Sequence, residues 1–198
     1  LVLPSLAEGK VRTLIRLLDT FLRGRYGIFE FDQDSDCLLR IQVTNAAHPI
    51  NFPSQTVKVG DPILVLHLWN EHLLAVSPDG IDLAWAKTMQ RGFVKSLHSL
   101  AQYLQAHPEL ANICAVGGAS ALFYTGGHIA GVKFMNRLGF IVLPYHSPLG
   151  RFGDFWENFY SWMLIYAYNP GDLRYRNFWA LQRTEIWMPA DELIDRYA

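Results

Sequence analysis

The stretch Pro62-Ile63-Leu64-Val65-Leu66-His67-Leu68-Trp69-Asn70-Glu71-His72 decides how this chain is read. Its first eight residues form an apolar and aromatic run broken by a single histidine, the pattern of a strand buried on at least one face. Alternation along a strand puts His67 on the side of Val65 and Trp69, opposite Leu66 and Leu68. Upstream, Tyr26 to Phe31, Leu38 to Val43 and Gln55 to Val59 are further β-branched or aromatic runs separated by turn formers, which predicts a meander of antiparallel strands. The connection Thr44 to Ser54, with His48, Pro49 and Pro53, is long for a hairpin and is expected to be an exposed loop. Ahead of the strands, Val11, Leu14, Ile15, Leu18, Phe21 and Leu22 fall at helical spacing. They predict a helix over 10–23 packed on the sheet by that stripe, with Arg12, Arg16 and Asp19 on its other side.

Downstream the period changes. After Ser77-Pro78-Asp79-Gly80, the residues Ala86, Met89, Phe93, Leu97, Leu100 and Leu104 recur at steps of three and four, so a long helix buries one stripe until Pro108 ends it. A strand at Asn112 to Val116, a helix to about Leu138, a strand at Phe140 to Leu143, an aromatic helix from about Gly153 to Tyr168, a strand near Glu185 to Met188 and a helix from Ala190 follow. Strands followed by alternating helices and strands make the fold α/β (α+β), one domain over 1–198. Its sheet is mixed, mainly antiparallel in its N-terminal strands, and flanked by helices.

Composition narrows the functions. Of 198 residues, 51% are apolar and 18% charged, which excludes general disorder. A net charge of -1 offers no basic excess for a phosphate backbone, so nucleic acid is not the expected partner. Cys37 and Cys114 are too few and too distant for a disulfide framework. Leu1 to Lys10 lacks the pattern of a signal peptide, and a cytoplasmic location is expected. The apolar stretch Phe155 to Tyr168 covers 14 residues, where a span needs about 20. Its crowded aromatics, Trp156 and Trp162 among them, fit either a core helix or a surface for lipid or a partner.

Two polar constellations stand out. The spacing H-x-x-x-E-H from His67 to His72 departs from the H-x-x-E-H of inverted zinc motifs, and on a strand the two histidines face opposite ways, so no metal is expected. His67 is instead a candidate general base in a half-buried cleft, with Glu71 as the alternative base and Trp69 and Asn70 beside it. The pairs Gly117-Gly118 and Gly126-Gly127, the second followed by His128, either let backbone N–H groups approach an anion or serve turns and close packing.

The order Val59-Gly60-Asp61, Leu66 to Asn70, Arg137-Leu138-Gly139-Phe140 and Glu185-Ile186-Trp187-Met188 before a final helix resembles the YkoP-like domains. These form a bacterial family of unsettled function, some members of which are attached to polysaccharide deacetylases. His67 and Asn70 belong to that pattern. A shorter resemblance, from the strand reaching Trp69 to Leu138-Gly139-Phe140, is to the GNAT acyltransferase fold. There the resemblance implies an acyl-CoA cofactor held at the turn before the long helix. That turn, usually Q/R-x-x-G-x-G/A, keeps only Gly80 here, and Met135 stands where the family often has an acidic tyrosine. The resulting expectation is a GNAT-like domain that binds an apolar or acyl-bearing small molecule, a lipid or a protein partner, with contact at a membrane surface but no span. The alternatives are an acyl-CoA-dependent acyltransferase using His67 or Glu71, and a carbohydrate-binding module associated with the cell envelope. The corresponding binding residues are Trp69, Asn70, Gly80, Gly126, Gly127, His128, Trp156 and Trp162.

Overall fold

Leu39, Ile41, Leu64, Val116, Ile186 and Met188 are each less than 5% exposed and lie on four different strands, and the molecule is built around the face they share. The computed structural model describes residues 6–76, 80, 82–120, 129–145, 147, 149–175, 178 and 183–198. Its elements run α1 (Leu6–Tyr26), β1 (Leu39–Asn45), β2 (Ile50–Asn51), β3 (Thr56–Val57), β4 (Pro62–Leu68), α2 (Leu83–Ala106) and β5 (Ala115–Ser120). There follow α3 (Ile129–Arg137), β6 (Ile141–Pro144), α4 (Gly150–Tyr168), β7 (Thr184–Pro189) and α5 (Ala190–Tyr197). The main sheet has the order β1-β4-β5-β7-β6. The β4/β5 ladder is parallel and the other three are antiparallel, so the sheet is mixed and the fold is α+β.

One face carries the aliphatic core. α2 and α5 cover it with Leu97, Leu100, Ala101, Leu104, Leu193 and Tyr197, and Met135 and Phe140 close the far side. Pairing of β5 with β7 demands glycine at 117, where a Cβ would come within 2.0 Å of the Ile186 carbonyl oxygen. Gly117 and Gly118 thus lie inside a strand, and the first of them serves close packing.

The opposite face is divided. Beside Ile63, Ala115 and Trp187 it is capped by the β2–β3 hairpin through Ala46, Ile50, Phe52 and Val57. The connection expected to be an exposed loop therefore supplies core, because its apolar residues fall where the sheet would otherwise be bare. Val57 belongs to this separate two-stranded ladder and not to the main meander. The expected strand at Tyr26 to Phe31 also gives way. α1 runs on to Tyr26, and only Phe29 bridges to Ile41.

The largest departure is the rotation of α1. Of its apolar stripe only Ile15 is buried; Leu14 and Phe21 are 67% and 68% exposed. The face turned inward carries charge. Arg16 donates to the Ala167 carbonyl at 3.1 Å. Asp19, 3% exposed, accepts from Tyr160 at 2.7 Å and from Tyr168 at 3.1 Å. Specific hydrogen bonds to α4 decide the orientation here, against the hydrophobic pattern. α2 departs too: its buried face begins at Phe93, and its first two turns project beyond the core.

Candidate functional site

The parallel β4/β5 ladder stops at Val65 and Gly117, although β4 continues to Leu68 and β5 to Ser120. The strand ends therefore part, and their facing backbone groups lose the sheet partners a longer ladder would give them. A small crevice lined by Leu66, His67, Gly118 and Ala119 lies in this notch. Beside it opens a cavity of about 750 Å³, roofed by α1 and α4. That is the volume of about 25 waters at roughly 30 Å³ each, in the range of sites for organic ligands and far beyond the needs of a bare ion. Leu22, Ile28, Leu73, Val76, Met89, Leu164 and Ile165 make much of its wall apolar, with Trp85 and Trp156 at its aromatic side.

The polar end is built on β1 and β4. Arg40 and His67 are cross-strand partners, and strand alternation aims both away from the aliphatic core. Arg40, 3% exposed, holds Glu30 and Glu71 at 3.0 Å each and lies 4.6 Å over the Trp69 ring. Arg23 joins this network at 3.4 Å from Glu71 and 3.3 Å from Asp19. At another part of the wall Arg183 donates to Asn158 at 2.7 Å and to Ser161 at 2.8 Å, and lies 3.5 Å from Glu157. Glu157 in turn accepts from Tyr145 at 2.8 Å; burial and this carboxylate push the Tyr145 phenol up to about 12. Among the described residues all three arginines at the wall are thus paired with carboxylates.

His67 differs from them. Gln42 donates through Nε2 to the Tyr26 carbonyl at 2.9 Å, so its Oε1 faces His67 Nε2 at 3.0 Å and can only accept. The imidazole therefore carries its proton on Nε2 and keeps a lone pair on Nδ1. Burial, then the charge of Arg40, lowers its pKa to about 4, which leaves the ring neutral at ordinary pH. Among the described residues neither His67 Nδ1 nor the Asn70 amide has a hydrogen-bond partner, and both residues line the cavity.

The remaining candidates are scattered. Trp69 is buried, stacked on His72 at 3.7 Å between centroids, and does not line the cavity. Glu71 is not a free base. Burial pushes its carboxyl up, but the hydrogen bond and charge of Arg40, with Arg23, outweigh burial and hold it below its ordinary value. His72 turns away to the Cys37 carbonyl at 2.7 Å, so the two histidines share no ligand position. Gly80, at φ 102°, lies outside the cavity wall. Gly126, Gly127 and His128 lie outside the described residues. Trp156 lines the cavity and is 50% exposed, whereas Trp162 packs edge-on to Phe178.

The wall residues that the strand-centred reading missed include Asp19, Arg23, Arg40, Gln42, Glu157, Tyr160, Tyr168, Asp172 and Arg183. Arg40 and Gln42 had a signal in the sequence: within Leu39-Arg40-Ile41-Gln42 the alternation already places both opposite the core.

A family model for the YkoP domain matches residues 11–197, from the second turn of α1 to the end of α5. The chain belongs to the YkoP domain family. The match takes in every element of this YkoP domain that lines the cavity, including both strands of the notch. None of the curated proteins and none of the solved structures matches the chain. No helix among the described residues is long and apolar enough to cross a membrane.

Proposed function

We propose that this YkoP domain binds an acyl-bearing small molecule in the cavity beside the β4/β5 notch, with its apolar chain against α1 and α4. The supporting observation is the conjunction of a mostly apolar cavity of about 750 Å³ with two polar groups, His67 Nδ1 and the Asn70 amide, that have no hydrogen-bond partner among the described residues. Among the described residues the arginines of the wall are paired and leave no cation waiting for a carboxylate; the carboxylates Asp19, Glu157 and Asp172 are likewise engaged, and the neutral imidazole offers no charge to an amine. The head group is therefore uncharged. An amide suits the site, since its N–H donates to Nδ1 while Asn70 donates to its carbonyl.

The strand order, with β7 between β5 and β6 and a notch between parallel β4 and β5, supports a GNAT-like scaffold and a second reading as an acyl-CoA-dependent acyltransferase. Under that reading His67 is the base, as Glu71 is committed to Arg40 and Arg23. Two observations weigh against ordinary acetyl transfer. Asp82 caps α2, taking the Trp85 N–H at 2.6 Å, so a carboxylate sits where a helix N-terminus would hold a diphosphate. A histidine titrating at about 4 is also a weak base at neutral pH.

Thermal shift and calorimetry with decanamide, decanoate, decylamine and decanoyl-CoA test the proposal. Saturable binding of decanamide is expected, with at least about tenfold weaker binding of both charged chains, the cost of desolvating an unpaired charge. At 100 times its dissociation constant the amide raises stability by about 2.7 kcal/mol. Leu164→Trp, which fills space at the cavity wall, should abolish the shift without changing the circular dichroism spectrum. A preference for decanoate overturns the uncharged head group. Tight binding of decanoyl-CoA alone favours the transferase reading.

A further inference from the structure

α1 is turned inside out relative to its own pattern. Val11, Leu14, Leu17, Leu18 and Phe21 recur at steps of three and four and form one outward stripe, between 40% and 68% exposed. The orientation is not loosely held. Asp19 is locked to Tyr160 and Tyr168, Arg16 reaches the Ala167 carbonyl, and Arg12 and Arg16 lie 5.2 Å over the Tyr166 and Tyr168 rings. Rotating the helix to bury its stripe would break all of these and turn Asp19 away from its tyrosine partners. α4, packed against α1, adds a second exposed set in its first turns: Phe152 is 65% exposed, Trp156 50% and Phe155 40%.

We propose that the outward face of α1, with the aromatic first turns of α4, docks on an anionic lipid surface. Charge decides the occupant. The stripe is bordered by Lys10 and Arg25, both exposed, and Arg151 is exposed in the first turn of α4. The acids of α1 lie elsewhere: Glu8 falls on the helical side of Ile15 and Asp19, away from the stripe. Leucine, valine and phenylalanine flanked by cations is the composition of a helix that lies in an interface, with its apolar side among acyl chains and its cations at the head groups. A second copy fits worse. A two-fold pairing of α1 stripes would bring Lys10 and Arg25 of the two copies together, with no carboxylate on that face to separate them. Trp156 belongs both to this surface and to the cavity wall, whereas the α1 residues that line the cavity, Asp19 and Arg23 among them, lie on the side of the helix away from the stripe. The docking itself stands on α1 and does not need the cavity to be occupied.

The test is co-sedimentation of the full chain with vesicles of phosphatidylcholine alone and of phosphatidylcholine mixed with phosphatidylglycerol, at low and high salt. Binding is expected only to the mixed vesicles and should weaken as salt screens the cations. Leu14→Gln combined with Leu17→Gln and Phe21→Gln alters exposed positions only, so the fold is retained, and affinity should fall by at least about tenfold. Lys10→Gln with Arg25→Gln should weaken binding severalfold and flatten its salt dependence. Leu164→Trp, which blocks the cavity, should leave vesicle binding intact, so that loss of the ligand reading and loss of the docking reading give different results. Equal sedimentation of the wild type and the triple variant overturns the proposal, as does failure of the wild type to bind. A wild-type dimer in sedimentation velocity that the triple variant dissolves would assign the face to a second copy.

Discussion

Replacing Asp19 by alanine is expected to destabilise the protein by about 3 to 5 kcal/mol, the cost of removing one partner from a buried ion pair and leaving the rest in place. Asp19 is 3% exposed and ties three groups together: the Tyr160 and Tyr168 hydroxyls and, at 3.3 Å, Arg23. Without it two phenols and part of a guanidinium face each other under the roof of the cavity. A loss of this size is a large share of the roughly 5 to 15 kcal/mol available to a domain. The damage should be regional. The aliphatic core between the sheet and α2 and α5 has no contact with Asp19 through these bonds, so α1 and α4 should lose protection first. Amide hydrogen exchange is expected to rise across Arg12 to Tyr26 and Asp154 to Tyr168, with β1, β4 and β5 still protected. Tyr160→Phe, which leaves Asp19 paired to Tyr168 and Arg23, should cost no more than about 1.5 kcal/mol. Equal losses in the two variants, or uniform exchange throughout, would show that Asp19 does not organise the roof.

The same residue explains what the sequence could and could not reveal. Strands and helices that meet the aliphatic core were legible, because burial on both faces shows as a continuous apolar run in β4, where adjacent Ile63 and Leu64 are both buried, and burial on one face enforces steps of three and four in α2 from Phe93 onward. Period fails where polar contacts choose the face. In α1 the apolar stripe predicts burial of Leu14 and Phe21, and the bonds of Asp19 to residues 141 and 149 positions away reverse it. No local pattern encodes partners at that distance. The hairpin that covers Ile63 and Trp187 was hidden for a related reason. Its strands are two residues each, too short for any period, and Pro49 and Pro53 read as loop. Of the site, His67 and Asn70 were visible as polar interruptions at the end of an apolar strand. Arg40 and Gln42 were visible in principle by alternation. Arg23 and Arg183 were not, since each is brought to the cavity wall by tertiary packing alone.

The second large effect is a dependence of stability on pH that one residue dominates. Burial and the neighbouring Arg40 lower the His67 pKa from 6.5 to about 4. As pH falls through 6.5 the unfolded chain takes up a proton at this position, whereas the folded chain does not until about 4. The unfolded state then binds more protons, and stability falls with pH across that interval. At about 1.4 kcal/mol per pKa unit the total is on the order of 3 kcal/mol, fully present above 6.5 and lost by about 4. Glu71, also held below its ordinary value, loses its contribution only as pH drops below 4.5, so the interval from 7 to 5 isolates the histidine. Over that interval the wild type should lose about 2 kcal/mol in urea titrations. His67→Gln keeps a donor for the Gln42 carbonyl oxygen but cannot titrate, and its stability should be nearly flat from pH 7 to 5. Parallel slopes in the two proteins would mean that His67 is not held neutral. Ligand binding provides an independent reading of the same ring. Nδ1 accepts a hydrogen bond only while the imidazole is neutral, so affinity for decanamide should stay constant from pH 8 to 5 even as the fold weakens. An affinity that instead titrates near 6.5 would place an ordinary, solvated histidine at the cavity and remove the basis for an uncharged head group.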